Sequence, residues 1–142
     1  MTDLMTGTGS CLCGAIQFTA KTIHKHMGAC HCHMCRKWNG GPLMAVSCGT
    51  EVEFEGAENI SVFDSSEWAE RGFCKKCGSH LFYRLKGNNE YSMLVGLFDD
   101  DSQFIFEHQV FIDKKPEFYD FSNKTENMTE AEVFAKYAPP SA

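Results

Sequence analysis

The sequence predicts a mainly β chain: small antiparallel sheets around a pair of cysteine knuckles, with a C-terminal helix. Three observations carry this reading. Short apolar or alternating runs recur along the chain, each bounded by Gly, Asn, Asp or Pro. Two glycine-closed cysteine turns, Cys11-Leu12-Cys13-Gly14 and Cys74-Lys75-Lys76-Cys77-Gly78, stand far apart and would clip an early strand to a late hairpin. Only one stretch, beginning at Thr129, carries both the start and the stop signals of a helix.

Taken in order, residues 1–8 are polar and rich in Gly and Thr, and read as a flexible leader; 9–142 read as a single zinc-binding domain. Ala15 to Ala20 alternates apolar and polar side chains, the period of a half-buried strand. Met27 to Cys30 reads as a short strand, and Leu43 to Cys48 as a buried one ending at Gly49. Val52-Glu53-Phe54 and Ile60 to Phe63 flank Gly56-Ala57-Glu58-Asn59 and resemble a hairpin. His80 to Leu85 and Tyr91 to Leu97 are separated by the turn Lys86-Gly87-Asn88-Asn89. Phe104 to Phe106 and Gln109 to Ile112 supply further strand. Thr129 and Glu132 form a capping box, Val133, Phe134, Tyr137 and Ala138 share a face, and Pro139-Pro140 stops the helix.

Length and charge narrow the function classes. The chain has 142 residues, 43% of them hydrophobic and twelve of them Phe, enough for one core. The formal charge is −6, and basic residues occur only in short pairs. No basic stripe invites nucleic acid. The N-terminus lacks the apolar stretch of a signal peptide, and no run approaches the ~18 apolar residues of a membrane span. A cytoplasmic protein without a membrane partner is expected. There thiols stay reduced, so the eight cysteines point to metal rather than disulfides.

Those cysteines divide as four, three and one. Cys11, Cys13, Cys74 and Cys77 supply four sulfurs from two knuckles, the closed set of a structural zinc. The closing glycines permit the positive φ that folds each turn back under the metal. Cys30, Cys32 and Cys35 form a second group in Cys30-His31-Cys32-His33-Met34-Cys35. Three thiolates and an open position describe a catalytic zinc; His31 or His33 as a fourth ligand would close it. Cys48 lies in an apolar strand and reads as a small buried hydrophobe. Arg36, Lys37 and Trp38 follow the triple loop and are the candidate contacts of an anionic substrate. His24 and His26 read as solvated, His80 and His108 as packed.

The motifs Gly9-Ser10-Cys11-Leu12-Cys13-Gly14, Cys30-His31-Cys32-His33-Met34-Cys35-Arg36 and Phe73-Cys74-Lys75-Lys76-Cys77-Gly78-Ser79 occur in the order seen in one family. With the segment around His108-Gln109-Val110-Phe111 and Pro116, the chain resembles the glutathione-dependent formaldehyde-activating enzymes, whose domain also occurs in centromere protein V. The resemblance covers about residues 9 to 121. It implies small β-sheets with a zinc-ribbon-like knuckle pair, the β-tent type. It also implies the same division into a structural zinc on Cys11, Cys13, Cys74 and Cys77 and a labile one on Cys30, Cys32 and Cys35. The implied activity is a carbon–sulfur lyase that condenses formaldehyde with glutathione to S-hydroxymethylglutathione. The loop residues His33-Met34 and Trp38-Asn39 depart from the smaller residues many relatives carry there. A zinc held by three thiolates suits activation of a small thiol for addition to an aldehyde. A noncatalytic zinc-binding interaction module and a thiol or metal sensor are the alternatives.

Overall fold

A computed structural model of the chain describes residues 4–137. Its contacts group into two compact units. The first comprises the chain up to Lys25 with Ala45–Phe104, and the second His26–Met44 with the chain from Ile105 onward.

In the first unit, β1 (Leu4–Ser10) and β5 (Val52–Glu55) flank β2 (Gln17–His24), antiparallel on both sides. Residues 4–8, expected in a flexible leader, thus belong to a sheet: Leu4 pairs with His24 and Thr8 with Thr19. Strand β2 keeps the alternation read from its sequence through Ala20, with Phe18 and Ala20 buried between exposed neighbours, and Ile23 is buried out of that phase. The other sheet joins the Ala45–Ser47 part of β4 (Leu43–Ser47) to β9 (Tyr91–Leu94), then β8 (His80–Leu85), β7 (Ala69–Cys74) and β6 (Ile60–Phe63). The expected hairpin between β5 and β6 does not form. Residues Ala57–Asn59 make a 3-10 turn, and the two strands pair with β2 and β7 respectively. The turn at 86–89 does make a hairpin of β8 and β9. Phe54, Phe82 and Tyr91 meet with centroids 4.9 to 5.7 Å apart, and Phe18 sits edge-on to Phe98 at 5.2 Å. Such pairs contribute beyond the area they bury.

The second unit departs from the antiparallel expectation. Its β10 (Ile105–Val110) runs parallel to both β3 (His26–Cys30) and β11 (Glu126–Met128). Parallel neighbours need a long connection, and residues 31–104 provide one between β3 and β10. A helix not foreseen, α1 (His33–Asn39), follows the first strand. Helix α2 (Glu130–Tyr137) opens with the predicted capping box: Thr129 N–H donates to Glu132 Oε1 at 2.9 Å, and Glu132 N–H to Thr129 Oγ1 at 3.2 Å. Ala138 and Pro139-Pro140 lie outside the described residues. Phe134 packs edge-on against Phe111 at 5.9 Å, while Tyr137 is exposed. Among the described residues no helix is long and apolar enough to cross a membrane.

Candidate metal centres and an adjoining cavity

The first unit brings the two knuckles together. Cys11 follows β1, Cys74 ends β7, and Cys13 and Cys77 lie in the turns. All four sulfurs lie within 4.8 Å of one another. The Cys11–Cys13 separation is 3.6 Å and Cys13–Cys74 is 3.8 Å. Zn–S bonds of about 2.3 Å arranged tetrahedrally require sulfurs about 3.8 Å apart, so this set fits zinc. Gly14 and Gly78 adopt φ of +80° and +81°, and their N–H groups close the turns onto the Cys11 and Cys74 carbonyls at 3.1 and 2.7 Å. A β-carbon would be strained at either position. Ser79 ties the knuckles to each other: its Oγ accepts from Leu12 N–H at 3.0 Å and lies 3.2 Å from Cys77 Sγ. The Ser79 hydroxyl and then its backbone N–H bring the Cys77 thiol down to about 5. Ile16 N–H points at Cys11 Sγ at 3.4 Å, a contact that favours thiolate.

The second unit holds the triple group. Cys30 ends β3, Cys32 caps α1, and Cys35 lies in the first turn of that helix. Cys32 has the extended backbone of an N-cap, and its Sγ accepts from Cys35 N–H at 3.3 Å. The i, i+3 spacing puts Cys32 and Cys35 on one face of the helix. Sulfurs of Cys30, Cys32 and Cys35 all lie within 4.8 Å of one another. Its neighbours Cys32 and Cys35, and then burial, push the Cys30 thiol far up. Three sulfurs this close resist bearing charge together unless a cation sits among them, which is the chemistry of a soft metal site. Gly40 ends the helix, its N–H on Arg36 O at 2.7 Å.

The imidazole of His31, weighed above as a fourth ligand, is committed elsewhere. It is fully buried; Nε2 lies 2.7 Å from Gln109 Oε1 and Nδ1 2.9 Å from Tyr119 Oη. Burial holds its pKa below the ordinary histidine value. His33 is exposed and is not grouped with the sulfurs. Among the described residues, therefore, the second cluster has three members.

A cavity of about 210 Å³ in the same unit is lined by His33, Arg36, Lys37, Gly40, Gly41, Phe118 and Tyr119. Arg36 is steadied by donating from Nε to His31 O at 3.0 Å. Two of the three residues proposed for substrate, Arg36 and Lys37, face this cavity; Trp38, half-buried, is not among its lining. Phe118 and Tyr119 are not singled out by the sequence. They lie more than 80 residues further along the chain, in a segment without strand or helix period, and nothing local marks them.

The remaining candidates sort simply. Cys48 is fully buried outside both groups, and burial pushes its thiol up to about 12. His24 is exposed, as expected. His26, expected to be solvated, is half-buried, with Nδ1 2.9 Å from Glu107 Oε2; His108 Nδ1 lies 3.4 Å from the other oxygen. Burial, and then the Arg71 charge, lower the pKa of His80.

Residues 6–114 match the family model described as glutathione-dependent formaldehyde-activating enzyme. An uncharacterized lyase of Schizosaccharomyces pombe is 41% identical over 126 residues, covering 88% of this chain and 92% of its own length. A putative glutathione-dependent formaldehyde-activating enzyme of Halomonas elongata is 32% identical over 83 residues, covering 52% of this chain and 53% of that protein. A crystal structure of a Rhodobacter sphaeroides protein superposes with a TM-score of 0.56 at 23% identity, over 65% of this chain and 87% of that one. That last likeness bears on the fold alone.

Proposed function

The chain belongs to the glutathione-dependent formaldehyde-activating enzyme family, and from that premise we propose that it is a carbon–sulfur lyase joining a small thiol, glutathione first, to an aldehyde such as formaldehyde. One observation carries the reading. Three sulfurs converge in the unit whose cavity is walled by Arg36 and Lys37, while the adjacent His31 spends both ring nitrogens elsewhere. In this reading Cys30, Cys32 and Cys35 hold a labile zinc, and Cys11, Cys13, Cys74 and Cys77 a structural one. Zinc bound by three thiolates has room for a fourth sulfur and favours an incoming thiol as its thiolate.

The side chains do the rest. Arg36 and Lys37 attract the carboxylates of the thiol, and the planar guanidinium suits bidentate recognition. Phe118 and Tyr119 give the cavity an apolar wall. The overall reaction is an addition without redox change. A carbon–sulfur bond forms, the carbonyl π pair moves to oxygen, and that oxygen takes the proton that sulfur gives up. The reverse step regenerates thiol and aldehyde. Such chemistry, on cysteines that must stay reduced, suits the cytoplasm. Nucleic acid has no part in it.

Cobalt in place of zinc tests the reading. Glutathione should alter the ligand-field spectrum of the second site, and Cys35→Ser should abolish the change. A spectrum indifferent to thiols would make the protein a zinc-stabilised binding module instead.

A further inference from the structure

The cavity in the unit of the second cluster is lined by charge of one sign. Arg36 and Lys37 contribute two permanent positive charges, and among the described residues none of its lining is Asp or Glu. Glu117 and Asp120 flank Phe118 and Tyr119 in sequence without lining it; the Asp120 carboxylate lies 3.8 Å from Lys115 Nζ instead. Elsewhere basic side chains stand against acids, as Lys21 does with Glu53, Arg84 with Glu70 and Lys114 with Glu130. No such pair neutralises Arg36 or Lys37 among the described residues. Arg36 commits Nε to His31 O, which leaves the terminal NH2 groups of its fork for a ligand. In a chain of formal charge −6 this is a local reversal of sign, and a concave wall concentrates such a field.

Glutathione has two unlike ends. Its glycine end is a carboxylate with no other charge beside it. Its γ-glutamyl end carries a carboxylate and an ammonium on the same carbon. In this cavity that ammonium would meet two like charges and no acidic side chain, so attraction of the one group is offset by repulsion of the other. We propose that the cavity takes the glycine carboxylate, and that Lys37 determines this choice by disfavouring an end that bears an ammonium. Position agrees with charge. Arg36 and Lys37 directly follow Cys35 on α1, and the glycine carboxylate is one residue from the thiol. The cavity volume of about 210 Å³ is below the roughly 300–1,000 Å³ of sites that enclose a whole drug-sized ligand, so it suits one end of the molecule. The site then favours thiols with an unaccompanied carboxylate close to sulfur over those whose only carboxylate belongs to an α-amino acid. This rests on the thiol-binding reading above and adds to it which end is recognised.

Three ligands separate the ends: glutathione, its glycine ethyl ester, and glutaryl-cysteinylglycine, which is glutathione without the α-ammonium. Affinities are measured by calorimetry on the full, zinc-loaded chain without aldehyde, with metal content checked in every variant. Loss of one charged hydrogen bond corresponds to about a tenfold weaker affinity for the ester. Removing the ammonium should not weaken binding. Lys37 is exposed, so Lys37→Ala leaves the fold intact. It should weaken glutathione and spare the ester, so that the tenfold gap narrows. A change in packing or metal affinity would shift both ligands together and leave the gap alone. An ester that binds the wild type as tightly as glutathione overturns the inference, and so does a gap that Lys37→Ala leaves unchanged. Weaker binding without the ammonium would put the γ-glutamyl end in the cavity and overturn it as well. Each of these results leaves the thiol reading standing. If glutathione does not bind the wild type at all, the thiol reading itself falls, and this one with it.

Discussion

The two cysteine clusters use the same ligand atom and differ in how much chain lies between the ligands. In the first unit Cys13 meets Cys74 across 61 positions, and the sulfurs tie the end of β1 to the turn between β7 and β8. In the second, Cys30, Cys32 and Cys35 lie within six residues, at a strand end and the first turn of a short helix. A metal in the first cluster closes a long loop and removes much of the freedom of the unfolded chain. A metal in the second organises one turn. The first also has its own internal support, in which Ser79 links the two knuckles, whereas the second adjoins groups that face a cavity. Separation along the chain is the ground on which we propose folding as the role of one cluster and chemistry as the role of the other.

The comparison can be broken by exchanging which cluster is damaged. The largest effect is expected from Cys74→Ser. Structural zinc contributes roughly 10–16 kcal/mol in small peptides, against a net stability of about 5–15 kcal/mol for a typical domain. The variant should be insoluble or unfolded by circular dichroism; soluble protein with unchanged melting temperature and zinc content would remove the structural role. Cys32→Ser should release about one zinc per chain, measured by metal analysis, while the far-ultraviolet spectrum stays near native. Global unfolding of this second variant would reverse the two assignments. Cys48 sharpens the contrast as a cysteine outside both clusters. Cys48→Ala should leave the zinc count unchanged and cost about 1 kcal/mol in chemical denaturation, the size of a small cavity. Loss of an equivalent of zinc there would draw Cys48 into a site.

Much of this was legible one residue at a time. Alternation in β2, the hairpin of β8 and β9, the capping box of α2, the glycine-closed knuckles and the buried state of Cys48 are local or compositional signals, and each lies where its pattern says. Elements whose partners are remote were read less well. Leu4–Ser10 looks like a leader because its alternation is thin and Gly-rich, and only pairing with β2 makes it a strand. The segment 52–63 looks like a hairpin until β5 and β6 choose different neighbours. Helix α1 is too short for a period, and its cap is a cysteine side chain rather than one of the usual capping residues.

The same division runs through the candidate sites. Ligand type and spacing are properties of the chain, so two clusters of four and three sulfurs and one cysteine apart are legible without any coordinates. Which atoms surround the cluster of three is a tertiary matter. His31 stands between two of its cysteines and would pass for a ligand on spacing alone. Only the parallel pairing of β3 with β10 sets Gln109 beside that ring, and only the course of the chain after β10 brings Tyr119 to its other nitrogen. Hydrogen-bond partners 78 and 88 positions away leave no trace in local pattern, because direction and distance in space, rather than order along the chain, decide where an imidazole spends its two nitrogens.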